Sequence, residues 1–221
     1  MTTFATPEPI TATLTTAGAR VRIVAGDRSD TVVRVEPIDP TNKSDVKVAA
    51  KTKVDFAVGK LLVKTTKSGA KDGSVAITVE LPTGSGLVLN TAWSDVRADG
   101  RLGDCVLNMA AGKVRLDRVA ALRGDAAAGD VRVGHAEGDV AVRASDCPIR
   151  IDRLTGGEAE LMNAAGGIQV GVDGAARVDA GSTKGSVHNS APDDPAGVQV
   201  YARTRRDDIV IARSAAHAVR V

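Results

Sequence analysis

A β-branched residue preceded by a small or turn-forming pair recurs seven times in the second half of this chain. The instances are Ser94-Asp95-Val96, Gly112-Lys113-Val114, Gly129-Asp130-Val131, Cys147-Pro148-Ile149, Gly166-Gly167-Ile168, Gly185-Ser186-Val187 and Asp207-Asp208-Ile209. The seven anchors are separated by 18, 17, 18, 19, 19 and 22 residues. A period this short and regular restricts the chain to an architecture in which each repeat stacks on its neighbours. Two positions after the anchors stand Ala98, Leu116, Val133, Ile151, Val170, Asn189 and Ile211, so both positions point inward on a strand of period two. Only the sixth repeat, with Asn189, lacks an apolar pair.

A second strand lies nine and seven residues before each anchor. It carries Leu87 and Leu89, Cys105 and Leu107, Leu122 and Gly124, Val140 and Val142, Ala159 and Leu161, Val178 and Ala180, then Val200 and Ala202. Two inward pairs per period, separated by turns, predict an all-β fold: a parallel β-solenoid of about seven two-strand rungs over residues 84–212, roughly 30 Å long. Parallel crossovers are overwhelmingly right-handed, so a right-handed solenoid is expected. A left-handed hexapeptide helix would need an aliphatic residue every six positions, and no such repeat is present. The long last spacing holds SAPDDPAG at 190–197, which reads as a surface loop inserted into the final coil.

Residues 1–83 lack the repeat but alternate well, as in Arg20-Val21-Arg22-Ile23 and Val75-Ala76-Ile77-Thr78-Val79-Glu80-Leu81. With turn signals at Ala17-Gly18, Gly26-Asp27, Val58-Gly59 and Asp72-Gly73, they predict an antiparallel β region that covers the first coil. Asp45 to Lys53 fits a short helix or a strand. The tail, 213–221, is a candidate cap for the last rung, whose strand edges would otherwise stay unpaired.

The interior must be thin, because the only aromatic residues are Phe4, Phe56, Trp93 and Tyr201. A net charge of +2 gives no general attraction to nucleic acid or membrane. Eight of the ten lysines lie between Lys43 and Lys71, which reads as the solvated face and charged edges of a sheet. The N-terminus, MTTFATPEPI, has neither a basic start nor an apolar run, and no stretch approaches a membrane span, so the expectation is a cytoplasmic protein. Cys105 and Cys147 fall at non-equivalent places in the repeat and read as reduced, packed thiols.

The outward position after the anchor carries Arg97, Arg115, Arg132 and Arg150, a column of guanidinium groups that is the candidate site. Asp95, Asp130 and Asp208 lie two positions before it, and Asp99, Asp117 and Asp152 two positions after. The column therefore reads as charge-paired surface, with binding of an anionic polymer or envelope component as the alternative. Nucleic acid is not an expected partner, and carbohydrate binding is not favoured either, because the chain has almost none of the aromatic platforms on which both ligands stack. His135, His188 and His217 have no ligand partner at metal spacing, so neither metal nor cofactor is expected. Gly124 to Asp130, GDAAAGD, has aspartate where a phosphate loop needs lysine. Gly166 to Gly174, GGIQVGVDG, lacks the glycine and aspartate of a calcium nonapeptide. Both read as turns. No unpaired carboxylates assemble into an acid–base pair, and no catalytic residue is assigned.

The alternating run Val75 to Gly84 and the iterated glycine, aspartate, valine, arginine of Gly129 to Arg132 resemble a bacterial family of β-strand-repeat proteins of unknown function. Its members are often labelled putative adhesins and are related to the toastrack domain of cell-envelope stress proteins. The resemblance covers nearly the whole chain. It implies a solenoid scaffold with no established enzymatic activity, serving assembly or partner binding in envelope-associated or regulatory settings, and it carries over no catalytic residue. The unpaired edge of the last rung adds self-association through the solenoid ends as an expectation.

Overall fold

The computed structural model describes residues 1–65, 73–194 and 197–214. The first strands are β1 (Thr2–Ala5), β2 (Thr11–Ala17), β3 (Ala19–Gly26) and β4 (Asp30–Pro37), followed by the helix α1 (Lys43–Lys51). Then come β5 (Lys53–Ala57), β6 (Lys60–Lys64), β7 (Val75–Pro82), β8 (Gly86–Ala92), β9 (Ser94–Met109), β10 (Gly112–Ala128), β11 (Asp130–Ala136) and β12 (Val140–Asp146). The series ends with β13 (Ile149–Leu154), β14 (Glu158–Ala165), β15 (Ile168–Val172), β16 (Ala176–Ser182), β17 (Val187–Asn189), β18 (Val198–Thr204) and β19 (Ile209–Arg213).

The strands form two ladders. The first, which holds the anchors, runs β1, β4, β7, β3, β9, β10, β11, β13, β15, β19, β17. The second runs β5, β6, β2, β8, β9, β10, β12, β14, β18, β16. The long strands β9 and β10 turn a corner and serve both ladders. At that corner Gly100 has φ +90°, and a Cβ there would stand 2.0 Å from the carbonyl oxygen of Ala25, so only glycine lets the coils approach. Gly129, φ +123°, does the same at the opposite corner against Gly112 O, 1.9 Å away.

The inward residues line up one above another, as the spacing predicts. Val96, Val114, Val131, Ile149, Ile168 and Ile209 are in lateral register and buried. In the second ladder so are Leu89, Leu107, Val142, Leu161 and Ala202, with Gly124 in line between Leu107 and Val142. Each buried valine, leucine or isoleucine contributes on the order of 2 kcal/mol by leaving water.

The order of the coils differs from a simple sequential stack at both ends. The seventh coil (β18 and β19) is inserted between the fifth (β14 and β15) and the sixth (β16 and β17). The sixth is therefore outermost, which leaves Val187 40% exposed and Asn189 exposed, against the expectation that Val187 points into a core. Polarity accounts for the exchange. Ile209 and Ile211 fill the inner place fully buried, where Asn189 would be an amide without partners.

The N-terminal end mirrors this arrangement. β2 lies between β6 and β8, and β3 between β7 and β9, all parallel. This corrects the expectation of an antiparallel N-terminal region. Among the described residues antiparallel pairing is confined to β1 with β4, β4 with β7, and β5 with β6. Alternation of period two is the same for both pairings. The turn signal at Gly18 is a corner that sends β2 and β3 into different ladders, whereas Val58-Gly59, with φ of 48° and 69°, is a true hairpin.

The ambiguous segment is a helix followed by a strand. Asn42 caps α1 by accepting from Ser44 N at 2.9 Å, and the buried Asp45 carboxylate accepts from Asp39 N at 2.9 Å and Ser74 N at 2.8 Å. Lys43, Lys47, Lys51, Lys53, Lys60 and Lys64 are exposed around this N-terminal end. Lys67, Lys71, the Asp72 turn signal, His217 and, of the expected cap at 213–221, residues 215–221 lie outside the described residues, while Arg213 ends β19.

Candidate functional site

The four arginines of the candidate site stand in one unbroken column. Arg97 pairs laterally with Arg115, Arg115 with Arg132, and Arg132 with Arg150. Because β3 adjoins β9, Arg22 extends the column by one step beyond Arg97. Five exposed guanidinium groups are thus spaced at the strand separation of ~4.8 Å.

The acids neutralise the column only in part. Asp99 bridges two arginines, 2.8 Å from Arg97 Nε and 3.6 Å from Arg22 Nε. Asp152 accepts from Arg132 at 2.8 Å. Asp117 is instead turned to the backbone, where it accepts from Gly100 N at 3.1 Å. Among the described residues, Arg115 and Arg150 have no ion pair. Arg97, Arg115 and Arg132 line a shallow groove of about 410 Å³ with Asp99 and Asp117. Beside them runs a column of alternating sign, Arg20, Asp95, Lys113 and Asp130.

A second row was not singled out from the sequence. Arg101, Arg118, His135 and Arg153 are also in lateral register, past the corner. Its signal was present, since Arg118, His135 and Arg153 each lie four residues after an anchor. A register shift beyond Leu116 offsets Arg101 by one and hides the row. Arg101 grips Glu137 at 2.7 Å, and this hydrogen bond holds the Glu137 carboxyl below the usual range. Arg153 pairs with Asp173. His135 Nε2 lies 2.9 Å from Thr155 Oγ1; burial, helped by Arg118 and Arg153, lowers its pKa and favours the neutral ring.

Both thiols are buried and free. Burial pushes Cys105 up to about 12 and Cys147 up to about 11, so neither forms the thiolate that nucleophilic or redox chemistry requires. Among the described residues no group of three or more histidine, cysteine or acidic side chains is placed to hold a metal ion. Gly124 to Ala128, expected as part of a turn, completes strand β10, and its turn comes only at Gly129. In the glycine-rich segment 166–174 the turns are at Gly166 and Gly174, with strand β15 between them. Among the described residues no helix is long and apolar enough to cross a membrane. The geometry offers extended charged surfaces along a stiff stack, a means of binding.

No family model matches the chain, and no curated protein matches it. Solved structures do. A crystal structure of a putative adhesin from Bacteroides fragilis is 14% identical, with a TM-score of 0.55 and 95% of each chain covered. One of a putative adhesin from Parabacteroides distasonis is 12% identical, with a TM-score of 0.43 and 95% of each chain covered. One of a putative cell adhesion protein from Clostridium sporogenes is 11% identical, with a TM-score of 0.36, covering 96% of this chain and 98% of that one. The Bacteroides match carries the likeness of fold: along nearly its whole length this chain is built as a structure named a putative adhesin is built.

Proposed function

We propose that the protein is a noncatalytic interaction module, a right-handed solenoid with seven rungs between Leu87 and Ile211, that docks a protein partner or a second copy of itself at its C-terminal end. The observation that carries this is the difference between the two ends. At the N-terminal end α1, β1, β4 and the lysine-bearing strand β5 lie beyond the parallel coils. At the other end, among the described residues, β16 pairs with no strand but β18 and β17 with none but β19, although Ala176 N donates to Pro192 O, so both present an edge without a strand partner. Val187 is exposed there, and Val178 and Ala180 are only half-buried. An open edge on a parallel coil is a template for strand addition. Two copies that meet at this edge would do so end to end about a twofold axis, which closes the assembly as a dimer.

The test is sedimentation of the chain cut after Ser214, which removes any cover the tail supplies. Dimers are expected, and Val187→Lys should return them to monomers by placing a charge on the edge. If the cut chain stays monomeric and melts as the parent does, the end is not a docking surface.

A second reading rests on the arginine column, where Arg115 and Arg150 lack acidic partners: it would hold an anionic polymer along the stack. Arg115→Ala with Arg132→Ala should then lower the salt concentration that elutes the protein from immobilised heparin. Stability should change by no more than about 0.5 kcal/mol, because both side chains are exposed. Passage of the parent protein through heparin without retention at low salt defeats this reading.

A further inference from the structure

Trp93 occupies a place that neither packing nor local propensity explains. It is the single tryptophan of the chain, it is 71% exposed, and its φ is +50°. Bulky side chains avoid this left-handed region, and the aligned residue on the neighbouring coil is Gly18, φ +63°. Val58, φ +48° and 96% exposed, takes the same conformation in a hairpin turn, so the backbone at Trp93 follows from its corner; what the corner does not explain is an exposed indole where the neighbouring coil has glycine.

The surroundings leave the ring free. On one side the aligned residue is Gly18, without a side chain, and on the other Ala111, with a single methyl. Beside it is a depression of about 270 Å³, lined also by Ile38, which is 40% exposed, and by Arg20 and Asp95. Arg20 and Asp95 are lateral partners on β3 and β9. Among the described residues neither has an ion pair, so a guanidinium donor and a carboxylate acceptor stand available at one rim.

From this we infer that Trp93, Arg20 and Asp95 form a subsite for a neutral sugar ring. A pyranose presents an apolar C–H face, which suits a flat aromatic, and an edge of hydroxyls that both donate and accept. The charges select against other ligands. A cation stacked on the indole would meet Arg20, and an anion would meet Asp95. An aliphatic protein anchor would cover the ring and leave both charges desolvated and unpaired. The depression holds about one ring, and further rings of an oligosaccharide would extend across the exposed face.

Because Trp93 is the single tryptophan, its fluorescence reports the subsite directly. Titration of the full chain with cellohexaose, laminarihexaose and chitohexaose should give a saturable change in emission with at least one of them. By calorimetry, Trp93→Gly and Arg20→Ala should each weaken that binding about tenfold or more. Trp93→Gly should melt no lower than the parent, since glycine relieves the left-handed strain, so its loss of binding is not a loss of fold. The proposal is overturned if none of the three sugars changes the emission, or if Trp93→Gly binds as the parent does. An emission shift that follows protein concentration alone, without sugar, assigns the indole to a protein contact and overturns it as well.

Discussion

Val131→Asp should lower stability by about 3 kcal/mol or more. Val131 is fully buried and stands between Val114 and Ile149 in the first ladder, themselves 0% and 1% exposed. An aspartate there would lie inside an aliphatic column, without a donor to bind or water to solvate it. The coils on either side are fixed by their own ladder bonds, so the site cannot open without losing more pairing. Urea denaturation gives the measurement, with the exposed neighbour Arg132→Ala as the control that should stay within about 0.5 kcal/mol. A loss below about 1 kcal/mol for Val131→Asp would mean that this column does not carry the core.

How far the residues announce this fold depends on which interaction decides each feature. Inward pairs are legible because burial acts position by position, and the lateral register of Val96, Val114, Val131, Ile149 and Ile168 follows the spacing step for step. Coil order is decided by competition between coils for an inner place, which no local pattern records. The clue was the polar Asn189 in the sixth repeat, which reads alone as a defect and together with the insertion as the mark of an outermost coil. Of the loop expected at 190–197, residues 195 and 196 lie outside the described residues; the long last spacing goes with a chain that enters between the sixth coil and the fifth. The candidate column shows the same division. Four of its arginines follow from the period, but Arg22 joins only because a coil far upstream adjoins β9. The row through Arg101 was hidden by the register shift past Leu116.

The order of the last coils sets a second large effect. Ile211→Asn should cost about 3 kcal/mol or more, and Asn189→Ile no more than about 1 kcal/mol, the worth of the exposed hydrogen bond its Oδ1 accepts from Ala191 N, although both residues sit two positions after an anchor. Ile211 is 0% exposed and lies between Val170 and Asn189, so the substitution leaves a cavity and buries an amide that the flanking strands, already bonded in the ladder, cannot satisfy. Asn189 is exposed on the open face of β17, where isoleucine adds apolar surface without a clash. A stack that followed chain order would reverse the ranking, because Ile211 would then lie on the outermost coil and Asn189 beneath it. Denaturation midpoints of the two variants therefore decide between the arrangements. If Asn189→Ile also associates as its concentration rises, the apolar end it creates lies on the surface proposed for docking.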